Sequence, residues 1–445
     1  MSSLLSVDTL VESPFIIVKI GDYTFGNCSK SHNSNSFSIT FPNYLNRITA
    51  TKINGEVNTY NIELIYQIAL GDDPNKFEKV FSTISNSRTI TISYGDWNAP
   101  NYIYSNENAL ITNIKTRMDF NSSKITYSIS CVGDTQLLAS NKASHMASHS
   151  KPSTLIRDLI ANKSSGILEA FPGMADLSVL YANGYLSGLS QASDMVVDIK
   201  CKENISTLDY LSYLVGCMTD GDKSVYKIIY HPANDHPKGE AGGAFFDIKK
   251  LSKIGGVVDN DSSDTYVLDV GYPSNNLVTN FEVTSDEQYS ILYDYSGKDI
   301  EQNYVYTLDN NGNINVNYSN ALNKVTTNMM SSQALANWWK EMTVFPITAN
   351  VTLKGLVRPT LLMDYVRLNV IFYGQKHIYS GLYVITKENM QIDQSGYRTT
   401  LSLLRVGEDT SSSVSALVSR DTGDTNMNNN PNNPRKINSV WGFNV

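Results

Sequence analysis

The residues of this chain that could do chemistry are few and widely spaced. His145 and His149 lie four positions apart, and His231 and His236 flank the stretch HPANDHP. A zinc site needs a third ligand, and HEXXH is absent because Met, Ala and Ser separate His145 from His149. We therefore predict polar loops at these positions, with no metal and no cofactor.

Patterns of nucleophilic or acid–base catalysis are also missing. There is no GxSxG elbow and no cysteine with a nearby histidine signature, and the Gly-rich segment at residues 238–247 has no P-loop lysine. Asp259, Asp261 and Asp264 cluster in a polar stretch, but nothing connects them to Glu282 as an acid and base pair. The sequence predicts no catalytic residues, and we expect the protein not to be an enzyme.

Composition narrows the class of protein further. The chain has 445 residues, of which 41% are hydrophobic, and this is enough for two or three domains with sizeable cores. Its formal charge is -8, and no cluster of Lys and Arg is present. Such a chain is poorly suited to gripping nucleic acid, because that affinity comes mainly from neutralising phosphates. It could still let DNA pass without binding it.

The cysteines and the apolar segments indicate a soluble protein with free thiols. Cys28, Cys131, Cys201 and Cys217 are far apart and form no CxxC pair, so reduced and buried thiols are expected. No segment approaches the run of about 18 apolar residues that a membrane helix needs. We expect synthesis in a cytoplasm and no membrane insertion by the protein itself.

The elements that must position any functional surface are mostly strands. Alternating and β-branched apolar residues fill residues 15–134, interrupted by one helix near residues 74–82, and a second β block follows from residue 345. Between the blocks, a helix with Ser206 as its cap and Asp209 three positions later indicates a mixed region. The predicted fold is mainly β with an α+β insertion. The domains are residues 1–135, a first tube-like β-barrel; 136–265, a mixed α/β domain; 266–342, connecting strands, an exposed excursion and a helix; 343–409, a second tube-like β-barrel; and 410–445, a flexible tether with a docking peptide.

One hairpin pattern occurs twice. Residues 109–134 match residues 383–408 without a gap, and both copies close a β block before the composition changes. The sequence therefore predicts two copies of one β domain. The identical positions are Ile111 on Ile385, Thr112 on Thr386, Asp119 on Asp393, Thr126 on Thr400, Ser128 on Ser402, Val132 on Val406 and Gly133 on Gly407.

The second β block resembles the hub proteins of phage tails and contractile injection systems. A "tltlkG" strand, a "d.v.v" segment, an "SGxYxVt" strand and a "d..Gy.TtLsL.R" strand follow in the family's order. The segment from Pro273 and the opening strand PFIIVKIGDYTFG are also similar to parts of these hubs, and together the resemblance covers roughly two thirds of the chain. The chain departs from the family at Leu362 and Met363, where relatives often have Pro-Gly, and in the excursion at residues 297–325. The matching residues are Thr352, Leu353, Lys354, Gly355, Asp364, Tyr365, Val366, Ser380, Gly381, Tyr383, Val384, Asp393, Gly396, Tyr397, Thr399, Thr400, Leu401 and Arg405.

The resemblance implies a structural role in a virion tail, at the baseplate or tail tip. Three chains with a duplicated β domain can close a ring of six similar units, so a homotrimer could adapt the six-fold tail tube to a three-fold spike and leave a channel for DNA. The implied partners are the tube or distal ring protein and a central spike or tip protein. The alternatives are a receptor- or carbohydrate-binding adhesin, favoured by many Tyr, Asn and Trp residues, and, with less support, a wall-degrading tail enzyme.

The C-terminal segment INSVWGFNV is the one candidate partner-binding site. It follows a polar stretch that cannot bury enough apolar area to fold, and aromatic side chains on such a tether suit capture by a neighbouring subunit. The alternative is a disordered end with two stray aromatics. The candidate residues are Arg435, Ile437, Trp441 and Phe443.

Overall fold

The computed structural model of the chain describes most of both β regions and parts of the region between them. Statements about structure below concern these residues. The described ranges are 14–27, 40–41, 43–68, 73–96, 99–133, 135–140, 142–145, 148–161, 194–199, 202–219, 225–231, 245–251, 266–271, 277–285, 303–308, 314–319, 347–354, 362–372, 375–393 and 395–408.

The first β region contains seven strands and one helix. Three of its strands alternate buried residues with more exposed ones, as expected for a sheet with one face on the core. The helix begins after Asp73, whose side chain accepts a hydrogen bond from the Asn75 backbone. The elements are β1 (Pro14–Ile20), β2 (Tyr23–Gly26), β3 (Leu45–Ile53), β4 (Thr59–Gln67), α1 (Pro74–Asn86), β5 (Thr89–Asp96), β6 (Ala99–Asp119) and β7 (Lys124–Gly133).

The region between the β blocks mixes short helices with strand pairs. Ser206 caps one helix by accepting a hydrogen bond from the Asp209 backbone at 3.0 Å, as the sequence predicted. The elements are α2 (Gln136–Ser140), β8 (Lys142–His145), β9 (Ser148–Ser150), α3 (Pro152–Ala161), β10 (Val197–Ile199), β11 (Lys202–Ser206), α4 (Thr207–Cys217), β12 (Val225–His231) and β13 (Phe245–Leu251).

The second β region supplies the remaining strands. Within the predicted excursion at residues 297–325, two strands form an antiparallel hairpin. The elements are β14 (Tyr266–Val270), β15 (Val278–Ser285), β16 (Asn303–Leu308), β17 (Ile314–Ser319), β18 (Ile347–Lys354), β19 (Tyr365–Phe372), β20 (Gln375–Lys376), β21 (Gly381–Asp393) and β22 (Gly396–Glu408).

Strands of both β regions join one 14-stranded sheet. Its order is β15-β18-β22-β21-β3-β4-β7-β6-β5-β1-β2, and β19 joins β21, β14 and β20 beside this path. The pairs are antiparallel except β14 with β19, which is parallel. The mainly β fold class is therefore confirmed. The bounds of the predicted domains stay predictions.

A shared core holds the two β regions together. One hydrophobic cluster includes Ile62 and Tyr127 from the first region and Val351 and Leu401 from the second. The α1 helix packs on this core through buried residues such as Val80. The mixed region has a core of its own around α4, and β12 and β13 also contribute to a small cluster with β21 and β22.

Two described cysteines agree with the expectation of free thiols. Cys131 and Cys217 are buried and form no disulfide, and burial raises the pKa of the Cys131 thiol to about 12. Cys28 and Cys201 lie outside the described residues. Among the helices that the structure describes, none is long and apolar enough to span a membrane.

Candidate functional site

The hairpins β6–β7 and β21–β22 contain the same local hydrogen bond. In the first, Thr112 sits at an irregularity in the strand pairing and its Oγ1 donates to the Ser130 carbonyl at 2.9 Å. In the second, Thr386 sits at the corresponding irregularity and its Oγ1 donates to the Ser402 carbonyl at 3.1 Å. The two hairpins are therefore equivalent in structure, with Thr112 matching Thr386 and Ser130 matching Ser402.

The equivalence extends to the next strand on each side. Ser130 Oγ donates to Asn61 Oδ1 on β4 at 3.1 Å, and Ser402 Oγ donates to Asn350 Oδ1 on β18 at 2.8 Å. Each β region therefore has the same hydroxyl–amide contact between the second strand of its hairpin, β7 or β22, and the neighbouring strand. This contact makes β4 the counterpart of β18.

A third pair of strands carries matching irregularities. β3 shifts register against β4 between Leu45 and Arg47, and β15 shifts register against β18 between Val278 and Asn280. A bulge adds one residue at a defined place in a strand, so it fixes which residues correspond. β3 is therefore the counterpart of β15, with Leu45 matching Val278. We call β3, β4, β6 and β7 the first unit of the repeat, and β15, β18, β21 and β22 the second unit.

The returning strand corrects the ungapped sequence match. That match placed Ser128 on Ser402, whereas the hydrogen bonds place Ser130 there. The first hairpin closes over a four-residue turn and the second over a two-residue turn, and this difference shifts the returning strand by two positions. Because side chains alternate with a period of two, the shift keeps the same face buried in both copies.

Both hairpins end in an aspartate that caps its turn. Asp119 accepts a hydrogen bond from Ser122 Oγ at 2.7 Å, and this bond is the main cause that lowers the pKa of its carboxyl. Asp393 accepts from the Ser395 hydroxyl and from Gln391 Nε2, and these bonds lower its pKa to about 2. The two units thus share their turn chemistry as well as their strand pairing.

Within the chain, the two units meet edge to edge. The second half of β21 pairs with β3, placing Ile392 opposite Ile48 and Met390 opposite Ala50. Ile392 is 5% exposed and Met390 is 1% exposed, so β3 covers this edge of the second hairpin. We call this pairing of β21 with β3 the internal junction.

Buried charges lie at the internal junction. Lys52 donates to Glu107, and Tyr60 Oη donates to the other Glu107 oxygen at 2.5 Å. Lys52 also lies opposite Glu388 in the strand pairing, and both residues are buried. Burial, followed by the charges of Glu388 and Glu107, raises the pKa of the Tyr397 hydroxyl. Charges buried in this way need their partners, so the cluster favours this register of the two strands.

The equivalent edge of the first hairpin is open. Beyond residue 111, β6 pairs only with β7 among the described strands. Met118, on the face that packs inward elsewhere in the hairpin, is 48% exposed, and Phe120 in the turn is 87% exposed. Thr116 and Arg117 are exposed as well. We call residues 113–119 the open edge of β6.

The strand at the other end of the sheet also has an open edge. In the described part of the chain, β15 pairs only with β18. Phe281 and Val283 are half-buried, whereas Glu282 and Thr284 are exposed. The path from β15 to β6 thus runs through eight strands, and each end has a strand edge that no other described strand pairs with. Such edges are templates for pairing with another chain.

Comparison with known proteins adds neighbours of low identity. Neither a protein-family model nor a curated protein sequence matches this chain. The chain is similar to solved phage tail proteins. The 43 kDa tail protein of prophage MuSo2 from Shewanella oneidensis is 12% identical, with 88% of this chain and 98% of that chain covered and a TM-score of 0.46.

Two further structures are similar over comparable lengths. A tail protein from Neisseria meningitidis is 10% identical, covering 88% of this chain and 97% of its own, with a TM-score of 0.44. A type VI secretion system component from Escherichia coli is 8% identical, covering 81% of this chain and 73% of its own, with a TM-score of 0.43.

The structure does not describe the residues that the sequence suggested for partner binding. Arg435, Ile437, Trp441 and Phe443 are outside the described residues, so their role stays a prediction. Of the histidine pairs, the structure gives His149 a contact with Asp198 on the surface, at 2.7 Å. In the ranges that the structure describes, no three His, Cys, Asp or Glu side chains come together as metal ligands.

The sequence analysis did not identify β6 and β15 as the strands with open edges. Met118 matches Ile392 in the repeat, and both are apolar residues at inward-facing positions of their strands. A comparison of these two positions could have suggested that both need a covering strand. The sequence alone does not say which strand covers either of them.

Proposed function

We propose that this protein is a structural hub or tip component of a phage tail or a related injection machine. In this role it works as a homotrimer that adapts the six-fold tail tube to a three-fold spike. The motifs of the second β block support the family, and the internal repeat supports the symmetry. The protein acts in the virion tail after synthesis in the host cytoplasm.

The observation that carries the proposal is the internal junction. One unit of the repeat offers the edge of its hairpin, and the next unit receives it on β3. Among the strands that the structure describes, nothing else pairs with the hairpin edge of β6 or with the receiving edge of β15, the counterpart of β3. A subunit with complementary edges at its two ends assembles head to tail, and such contacts make a ring when the rotation closes.

Three chains are the number that suits a six-fold neighbour. Each chain contributes two similar units, so a closed trimer presents six units to the tube while keeping three-fold symmetry for the spike. The proposed partners are accordingly the tube or distal ring protein on one side and a central spike or tip protein on the other.

The ring would leave a channel for DNA. The net charge of -8 supports passage without retention, because an acidic wall repels phosphates whereas a basic wall binds them. Substitution of acidic residues on the inner wall by lysine should then slow DNA ejection in reconstituted particles. Clustered Lys and Arg on the inner wall would contradict this part of the proposal.

We also propose that the protein works without catalysis. This rests on the missing catalytic motifs of the sequence. The purified protein should give no clearing zone in a zymogram containing host cell wall, with lysozyme as the positive control. A clearing zone that follows the protein through purification would contradict this.

The experiment that tests the proposal measures mass and shape together. Native mass spectrometry should give three times the 49.4 kDa of one chain, and electron microscopy should show a three-fold ring with a central hole. A monomer or a closed dimer without a pore would overturn the proposal. Silence on a glycan array, together with trimer formation, would separate the hub from the adhesin alternative.

The C-terminal segment is proposed to dock on a neighbouring protein. Deletion of residues 432–445 should leave the fold of the subunit intact and weaken its attachment within the tail. The matched control replaces Trp441 and Phe443 by serine in the full chain. If assembly is unchanged in both variants, the docking role is wrong.

A further inference from the structure

We propose that the open edge of β6 adds to the open edge of β15 in a second copy of this chain, with Met118 opposite Phe281. This inference rests on the proposed ring and names the surface that closes it. The partner is the same chain, and the contact is an antiparallel strand pair that continues the sheet from one subunit into the next.

The register follows from the internal junction. Ile392 lies opposite Ile48 there. In the hairpins, Ile392 corresponds to Met118, because each lies six positions after the matching threonine, Thr386 or Thr112. On the receiving strands, Ile48 of β3 corresponds to Phe281 of β15. Ile48 lies three positions after Leu45, and Phe281 lies three positions after Val278, which are the residues before the two matching bulges. The same pairing applied between two copies therefore sets Met118 opposite Phe281.

The chemistry of the paired residues suits this register. On the inward face, Met118 would lie opposite Phe281 and Thr116 opposite Val283, so the half-exposed methionine and two half-buried apolar side chains would cover one another. On the outward face, Arg117 meets Glu282, and both are exposed in the isolated subunit. A register shifted by one residue would turn the apolar side chains of one strand to the opposite face.

Charge keeps the two kinds of junction distinct. The internal junction sets Lys52 opposite Glu388 in a buried position. The equivalent positions of the proposed contact are Ile114 and Ser285, which carry no charge. If β6 of another copy displaced β21 from β3, Lys52 would lie opposite Ile114 instead of Glu388. The two junctions therefore differ in the charges that they bring together at this position.

Paired cysteines test the register directly. In the variant T116C/V283C, the two thiols lie opposite each other across the proposed contact, at the separation typical of directly opposed residues. Within one chain β6 and β15 do not pair with each other, and a product of twice the chain mass on a denaturing gel shows a disulfide between two copies. The matched control T116C/T284C places the second thiol one residue away, on the opposite face. The unmodified chain shows any background from its own cysteines.

The expected result is a ladder of disulfide-linked dimers and trimers on a denaturing gel for T116C/V283C after mild oxidation. The control pair should give at least tenfold less cross-linked product. A three-fold ring that cross-links no better with T116C/V283C than with the control would overturn this register while the proposed function stands. A particle without three-fold symmetry and a pore would overturn both.

A charge exchange provides a second test that needs no covalent bond. R117E places like charges across the contact and should weaken the trimer by roughly fivefold or more, and E282R should do the same. The double variant R117E/E282R should recover most of the loss. Lys79→Glu on the exposed face of α1 has the same charge change as R117E and serves as the control. Equal weakening by R117E and Lys79→Glu, with no recovery in the double variant, would contradict the pairing.

Discussion

The two hairpins of this chain have the same construction and opposite surroundings. Both use a threonine hydrogen bond at an irregularity and an aspartate in the turn. On the second hairpin Ile392 is buried where β21 pairs with β3, whereas its counterpart Met118 is half exposed. Local sequence therefore determines the hairpin, and the strand supplied by another part of the chain determines which side chains are buried.

The largest effect is expected at the buried ion pair of Lys52 and Glu107, which lies beside the internal junction. Lys52→Met removes the partner of the buried Glu107 carboxylate, and leaving such a charge unpaired should lower the free energy of unfolding by about 3–5 kcal/mol. Urea titration of the subunit, at a concentration too low for assembly, measures this.

The double variant Lys52→Met with Glu107→Gln is the matched control for that prediction. It removes both charges and keeps an acceptor for the Tyr60 hydroxyl, so it should recover much of the lost stability. A single variant within 1 kcal/mol of the unmodified chain would show that the pair contributes little to the stability of the subunit.

Next in size is the contrast between the equivalent apolar residues. Ile392→Ala should lower the free energy of unfolding of the subunit by about 2–5 kcal/mol, because it empties a buried site. Met118→Ala should lower it by less than about 1 kcal/mol, since that side chain is half exposed. Met118→Ala should instead weaken the trimer. Equal costs at the two positions, measured on the isolated subunit, would contradict the comparison.

A smaller effect is expected at a position where the two units differ in side-chain size. Gly381 takes the place that Glu107 has in the first unit, and a Cβ there would lie 2.5 Å from the Gly407 carbonyl oxygen. Gly381→Ala should therefore destabilise the subunit by about 1–3 kcal/mol. Gly216→Ala in α4 is the control, because an added Cβ meets nothing within 4 Å there and alanine favours the helix.

The smallest effect concerns pH. The pKa of Asp393 is lowered to about 2, below its value in an unfolded chain of about 3.9, so its contribution to stability is present above pH 4 and disappears between pH 4 and pH 2. Asp393→Asn should differ from the unmodified chain by about 0.5 kcal/mol at neutral pH, because water screens this exposed group. The difference should vanish near pH 2. Asp119→Asn should follow the same direction, and a difference independent of pH would contradict the assignment.

Much of the fold could be predicted from the pattern of the sequence. The alternation of apolar residues indicated the strands, and the cap at Ser206 indicated the start of α4. The repeat was visible because Thr112, Asp119 and their counterparts Thr386 and Asp393 have structural roles that need their side chains. Its two-residue shift was not visible, because a shift of two leaves alternation unchanged.

The candidate site could not be predicted to the same degree. Lys52 follows Ile48 and Ala50 at inward-facing positions, so its burial was suggested by the spacing, but its partner Glu107 lies 55 residues away. The exposure of Met118 depends on a strand that comes from elsewhere. Edge pairing across long sequence separations is a property of topology, and local patterns carry little information about it.

The position of the internal junction within one polypeptide implies an order of events during disassembly. Of the six contacts in the proposed trimer, three lie within single polypeptides and three join separate polypeptides. Dilution or mild denaturant should first break the three contacts between subunits and release intact subunits. Contacts within a subunit and contacts between subunits would then alternate around the ring. The ring would open, or exchange a subunit, only at the contacts between subunits.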